Sequence, residues 1–131
     1  MTRDDLVNEW LDLADQDRRS ADFLGAMIPV PAEVICFHYQ QAAEKALKAL
    51  LEFHAVEIPR SHDLLVLWSN VTRVAETLPD LERECNLLND YSVSVRYPAR
   101  IELTEEDVDA AKRAATTILS TIQQWLKTTL H

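Results

Sequence analysis

An all-α fold, an up-and-down bundle of four to five helices, is predicted for this 131-residue chain by three observations. Glycine occurs once and proline five times, and breakers cluster in three regions only. The apolar fraction is 47%, and apolar residues recur at three- and four-residue spacing over long stretches. A β-sheet protein would need more turn residues. The length suits one domain with a real core, so residues 1–131 are read as a single domain.

The first helix opens on Thr2, a cap residue followed by Asp4 and Asp5, and runs to about Ala26. Its core stripe is read as Leu6, Trp10, Leu13, Ala21 and Leu24, and its acids, Asp12, Asp15, Asp17 and Asp22, as a solvated face. Pro29 and Pro31 end it, and Pro31 is placed to begin a second helix reaching about His54. The stretch 55–60 is a loop. Ser61 is the expected cap of a third helix with Leu64, Leu67, Trp68 and Val71 on its buried side, ending near Thr77. A fourth, from Leu81 to about Ser92, carries Leu81, Cys85 and Leu88 inward and frays where Val93, Val95 and Pro98 disfavour helix. Thr104, with Glu105, Glu106 and Asp107 behind it, caps the last helix. Val108, Ala111, Ala115, Ile118, Ile122, Trp125 and Thr129 form its seam.

The second helix is the most informative. At 100° per residue, Ile35, Tyr39, Ala42, Ala46, Ala49 and Phe53 share one narrow face. His38, Gln41, Lys45 and Lys48 form a second row beside it. A third row, Phe37, Leu47 and Leu51 with Gln40 and Glu44 among them, is too apolar to be left to water, which predicts a homodimer.

Charge and motifs exclude several classes. A net charge of −9 opposes generic nucleic-acid binding, which needs clustered Lys and Arg, so any RNA contact must be local. No leader pattern and no apolar run of roughly 20 residues occurs, which predicts a cytoplasmic protein without membrane contact. Cys36 and Cys85 lack C-x-x-C spacing and are read as reduced structural thiols. There is no G-x-S-x-G, no phosphate-binding glycine loop and no H-E-x-x-H. His38 and Glu44 lack zinc-ligand spacing, so neither metal nor cofactor is expected.

The candidate ligand groups are His38, Gln41, Lys45 and Lys48, then His62 with Asp63, then Tyr91, Arg96 and Tyr97. An imidazole, an amide and two ammonium groups along one helix edge suit a phosphate or nucleotide, and aromatic rings beside a guanidinium suit a base with its phosphate. Each has a plainer reading. Lysine stems lie over apolar surface with their heads in water, an Asp in a first turn complements the helix dipole, and tyrosines at helix ends are core residues with a wet hydroxyl.

The stretch FHYQQAAEKALKALL from Phe37 to Leu51 resembles the second helix of HEPN domains. Pro59 to Leu64, reading PRSHDL, is similar to the opening of that family's next helix, and NDYSVSVRYP, from Asn89 to Pro98, resembles a tyrosine plus R-Y-P signature of one branch. The resemblance runs from about Asp5 to about Lys127. It implies an all-helical module associated with a minimal nucleotidyltransferase, often as a toxin–antitoxin pair, with Tyr91 and Tyr97 as acceptors of a nucleotide group. HEPN ribonucleases carry R-x(4-6)-H, and none of His38, His54, His62 and His131 has an Arg five to seven positions before it. The resemblance therefore implies a noncatalytic nucleotide-associated partner. Two alternatives stay open: an RNA endonuclease toxin with a rearranged site built from Arg96 with His38 or His62, and a pure assembly domain.

Overall fold

A computed structural model describes residues 1–92 and 102–129. Its elements are α1 (Arg3–Leu24), α2 (Ala32–Phe53), α3 (Leu64–Val74), α4 (Glu82–Asn89), a 3-10 turn (Asp90–Ser92) and α5 (Glu105–Thr129). The bundle is built around α2. Helices α1, α3, α4 and α5 and the 3-10 turn all pack against it, and twelve of its 22 residues are buried. Six alanines, Ala32, Ala42, Ala43, Ala46, Ala49 and the flanking Ala55, keep that rod thin. The four central ones have no solvent exposure, so neighbouring helices approach its backbone closely.

Local chemistry explains where the helices start. Thr2 accepts from the Asp5 amide at 3.1 Å while the Asp5 carboxylate accepts from the Thr2 amide at 2.9 Å, a reciprocal capping box. Those bonds, the backbone one foremost, hold the Asp5 carboxyl below its usual range. Thr104 and Asp107 repeat the device at the head of α5, with bonds of 3.2 and 2.8 Å. The third helix differs from the expectation. Asp63 is its N-cap, accepting from the Leu65 and Val66 amides, while Ser61 supports Asp63 from outside by accepting its amide at 3.0 Å. A carboxylate is simply the better acceptor at a positive helix end.

The α1 stripe is also shifted. The inward positions are Val7, Trp10, Ala14, Asp17, Ala21 and Leu24, spaced three and four apart, while Leu13 is 42% exposed. Asp17 is buried, which corrects its assignment to a solvated face. On α3, Leu64, Leu67, Trp68 and Val71 are buried as expected, and on α4 so are Cys85 and Leu88, with Leu81 just before it. On α5, Ala111, Ala115, Ile118 and Ile122 are buried and Val108 and Trp125 partly so, but Thr129 is exposed. Trp125 ties α5 to the α3–α4 connection by donating to the Thr77 hydroxyl at 2.9 Å. Leu47 and Leu51 are completely buried inside this chain. They are core residues of the bundle and leave no apolar row for a second copy.

Helix α2 ends in a left-handed residue that is not glycine. Ala55 has φ of 60°, the Ala55 amide donates to Glu52 O at 3.0 Å and the Val56 amide to Leu51 O at 3.2 Å. That is a Schellman ending, normally filled by Gly. Ala55→Gly should therefore stabilise the protein by about 1 kcal/mol, read as a shift of the urea midpoint at constant slope.

Burial raises three acids: Cys36 and Cys85 to about 12 and the Tyr91 phenol to about 12, desolvation leading in each case. The unfolded thiols and phenol ionise at lower pH than the folded ones, so the stability they contribute is whole below about pH 9 and drains as pH rises toward 12. Thermal midpoints should decline across that window. Neither thiol should react with Ellman's reagent at pH 8 until denaturant is added, when both should.

Candidate functional site

The polar row of α2 meets two buried carboxylates, one reached from each side. From α1, Asp17 takes His38 Nδ1 at 2.9 Å and also pairs with the Lys45 ammonium. On α2 itself, Glu44, with its side chain 4% exposed, takes Lys48 Nζ at 3.0 Å, Gln41 Nε2 at 3.4 Å and His62 Nδ1 at 3.0 and 3.2 Å. Burial explains the convergence, because an ionised carboxylate away from water must have its lone pairs filled. The sequence offers both lysines to a phosphate or nucleotide. In the fold each already has an anion.

His62 is held twice. Its ring is tied to Glu44, and its carbonyl accepts from Gln40 Nε2 at 3.0 Å. Gln40 in turn takes the Gln41 amide at 2.7 Å, so Gln40, Gln41, Glu44, Lys48 and His62 form one continuous network. The loop is fixed from its other end too. Asn89 donates to Asp63 Oδ1 at 3.0 Å and accepts the Leu64 amide at 2.8 Å, joining the tail of α4 to the head of α3. The His62 side chain nevertheless stays 73% exposed. A carboxylate can only accept, so Nδ1 carries the proton, and Nε2 has no hydrogen-bond partner among the described residues.

Lys48 is the most enclosed cation of the row, its side chain 11% exposed and its ammonium 5.7 Å from the Trp10 ring centroid. Gln41, His38 and Lys45 are half-buried along the same edge. The strip therefore carries two ammonium groups against two carboxylates, and only a protonated His38 or His62 gives it a net positive charge. Tyr91 is half-buried at the 3-10 turn and packs on the core, away from bulk water by burial that also keeps its phenol protonated. Arg96 and Tyr97 lie outside the described residues.

Three groups that organise the site were missed as partners: Asp17, Gln40 and Glu44. Asp17 was detectable, since it completes the three-four spacing of Val7, Trp10, Ala14, Ala21 and Leu24. Gln40 and Glu44 sat in the row judged too apolar for water. What could not be read was that His62, eighteen residues away from Glu44, would fold back onto it.

A second aspartate locks the opposite edge of the α1–α2 contact. Asp22 accepts from the buried Tyr39 hydroxyl and from Arg18 at 3.0 Å, with Lys112 of α5 at 3.8 Å. Burial first, then that bond, raises the Tyr39 phenol far above its ordinary value. Among the described residues no group of three or more His, Cys, Asp or Glu is placed to hold a metal ion. None of their helices is long and apolar enough to cross a membrane.

This architecture has solved counterparts. The chain aligns with the crystal structure of an archaeal HEPN homologue at 28% identity and a TM-score of 0.68, over 90% of this chain and 95% of that one. It aligns with a Thermus thermophilus protein at 26% identity and a TM-score of 0.76, over 91% of this chain and 97% of that one. The family model described as the HEPN domain matches residues 7–125. The chain belongs to the HEPN domain family. Among curated proteins, none matches it.

Asp17→Ala should cost roughly 2 kcal/mol, between the values for an exposed and a fully buried pair, because His38 and Lys45 lose one shared anion. Asp17→Asn should recover part of it by keeping an acceptor. Chemical denaturation of both variants measures the difference.

Proposed function

We propose that this HEPN-domain protein is a noncatalytic, nucleotide-associated partner of a minimal nucleotidyltransferase, acting as a homodimer, and that the pair serves as a toxin–antitoxin unit. The observation that carries the ligand part is the anchoring of His62. A buried carboxylate holds the exposed imidazole of His62, and a buried amide its carbonyl, beside a row containing Gln41, Lys48, Lys45 and His38. With His62 protonated, Glu44 faces two cations with one charge, and a phosphate oxygen at Nε2 would complete the neutralisation. The motif R-x(4-6)-H is absent, which favours binding over cleavage.

The dimer part is supported by a different surface. Phe23 is 82% and Ile28 92% exposed at the α1–α2 turn, with Met27 and Val30 about half exposed beside them. Side chains of that size grouped at one end of a bundle are a reason for a second chain to cover them. Sedimentation of the protein should give a dimer, and Ile28→Asp should shift it toward monomer. A monomer in both would end that part of the reading.

Labelled ATP or GTP should bind the wild type, with affinity falling about tenfold in His62→Ala and in Lys45→Ala/Lys48→Ala. Binding unchanged by either variant, or none at all, would leave a pure assembly domain. Co-purification with a minimal nucleotidyltransferase is the direct check on the partner.

One feature favours the rearranged RNA endonuclease as a second reading. A carboxylate-backed imidazole with its Nε2 open to solvent is the form a general base takes. Mixed RNAs incubated with the wild type, Arg96→Ala and His62→Ala separate the two. Cleavage lost in both variants would replace the noncatalytic reading.

A further inference from the structure

Helices α1 and α5 both lean on α2 and make little contact with each other. They run antiparallel, since Asp4 and Lys127 line one end of the seam between them and Asp22 approaches Lys112 at the other. Toward the start of α1 the seam opens into a trough of about 550 Å³. Leu11, Phe53 and Leu126 line its apolar floor, Phe53 from the last position of α2. This is the opposite edge of α1 from Asp17 and the His62 network: Asp17 and Leu11 differ by about 120° on the helical wheel.

The trough has a shape and a charge. Residues 4–15 of α1 span about 16 Å, three turns of helix, and two helices with a third beneath them leave a furrow into which another helix packs ridge into groove. Along the α1 rim stand Asp4, Asp12 and Asp15. Asp15 already pairs with Arg18 at 2.8 Å, while Asp4 and Asp12 have no ion-pair partner among the described residues. Among the described residues, Lys127 is the one cation lining the trough.

We propose that this trough docks a basic amphipathic helix of a different protein, three turns or more in length, with its apolar stripe over Leu11 and Phe53 and its Lys or Arg residues against the Asp4–Asp12 rim. The apolar floor supplies a place for anchors at i, i+3 or i+4 and i+7, and the acidic rim selects the sign of the flanking charge. A second copy of this chain fits poorly. Its net charge is −9, and of its described helices only α3 has a net positive charge, from Arg73, with its apolar side already turned into the core. The proposal is independent of nucleotide binding at His62, and its failure would leave that reading untouched.

The test uses a labelled synthetic peptide of about 14 residues, with Leu on one helical stripe and Lys elsewhere, beside a peptide of the same pattern with Glu for Lys. Fluorescence anisotropy with the full chain should show binding of the Lys peptide and none of the Glu peptide. Asp4→Lys/Asp12→Lys should weaken binding about tenfold, and Asn8→Arg/Gln123→Arg, which leaves the helix-start acids in place, several-fold. Glu76→Lys/Asp80→Lys, with the same charge change at exposed residues outside the trough, should leave it unchanged. Matching circular dichroism melts establish that the variants are folded. The proposal is overturned if the Lys peptide does not bind, if the remote pair weakens it as much as the rim pairs, or if the rim pairs instead abolish self-association in sedimentation.

Discussion

Burial of twelve of the 22 residues of α2 is the constraint from which the rest of the structure follows. A helix packed against α1, α3, α4 and α5 gives only part of its surface to water, so a polar group on its buried part must be satisfied by protein. Gln40 and Glu44 are such groups, and both are satisfied through the loop that carries His62. Asp17 solves the same problem from α1, where a carboxylate on the inward stripe needs the imidazole of His38 and the ammonium of Lys45. The two networks are thus conditions for closing the bundle as well as its most distinctive surface chemistry.

That double use shapes what the surface can bind. An open pair of lysines would attract phosphate by charge alone. Here Lys45 and Lys48 are neutralised from below, and what remains outward is the far nitrogen of an imidazole fixed in one tautomer. The proposed nucleotide site rests on hydrogen-bond geometry more than on bulk electrostatics. It suits an acidic protein, whose overall field repels polyanions and whose contacts with them must be local.

The aspartates also fix how α1 sits. Asp17 grips one edge of α2 and Asp22 the other, through Tyr39, so α1 is held against rotation by two polar clamps on either side of an alanine-rich contact. The small residues Ala14, Ala21, Ala42 and Ala46 bring the backbones close, and their lack of bulk is the reason α1 and α5 can both lie on α2 without filling the space between them. The trough is a by-product of that economy of side chains.

Much of this was legible in the chain itself. Periodicity and breakers set five helices and most of their inward residues, because the repeat of apolar side chains is a local property of each segment. The caps at Thr2 and Thr104 were equally local, as was the family likeness in Phe37–Leu51, Pro59–Leu64 and Asn89–Pro98. The errors have two causes. Asp17 and Leu13 were sorted by polarity when their position on the stripe decided the matter, and Leu47 and Leu51 were offered to a second chain because the number of helices packing on α2 is not written in α2. Only the tertiary structure could bring His62 onto Glu44 and Asp17 onto Lys45, since pairings between residues distant in sequence depend on how helices are stacked. A sequence states which side chains need partners; the packing chooses who they are.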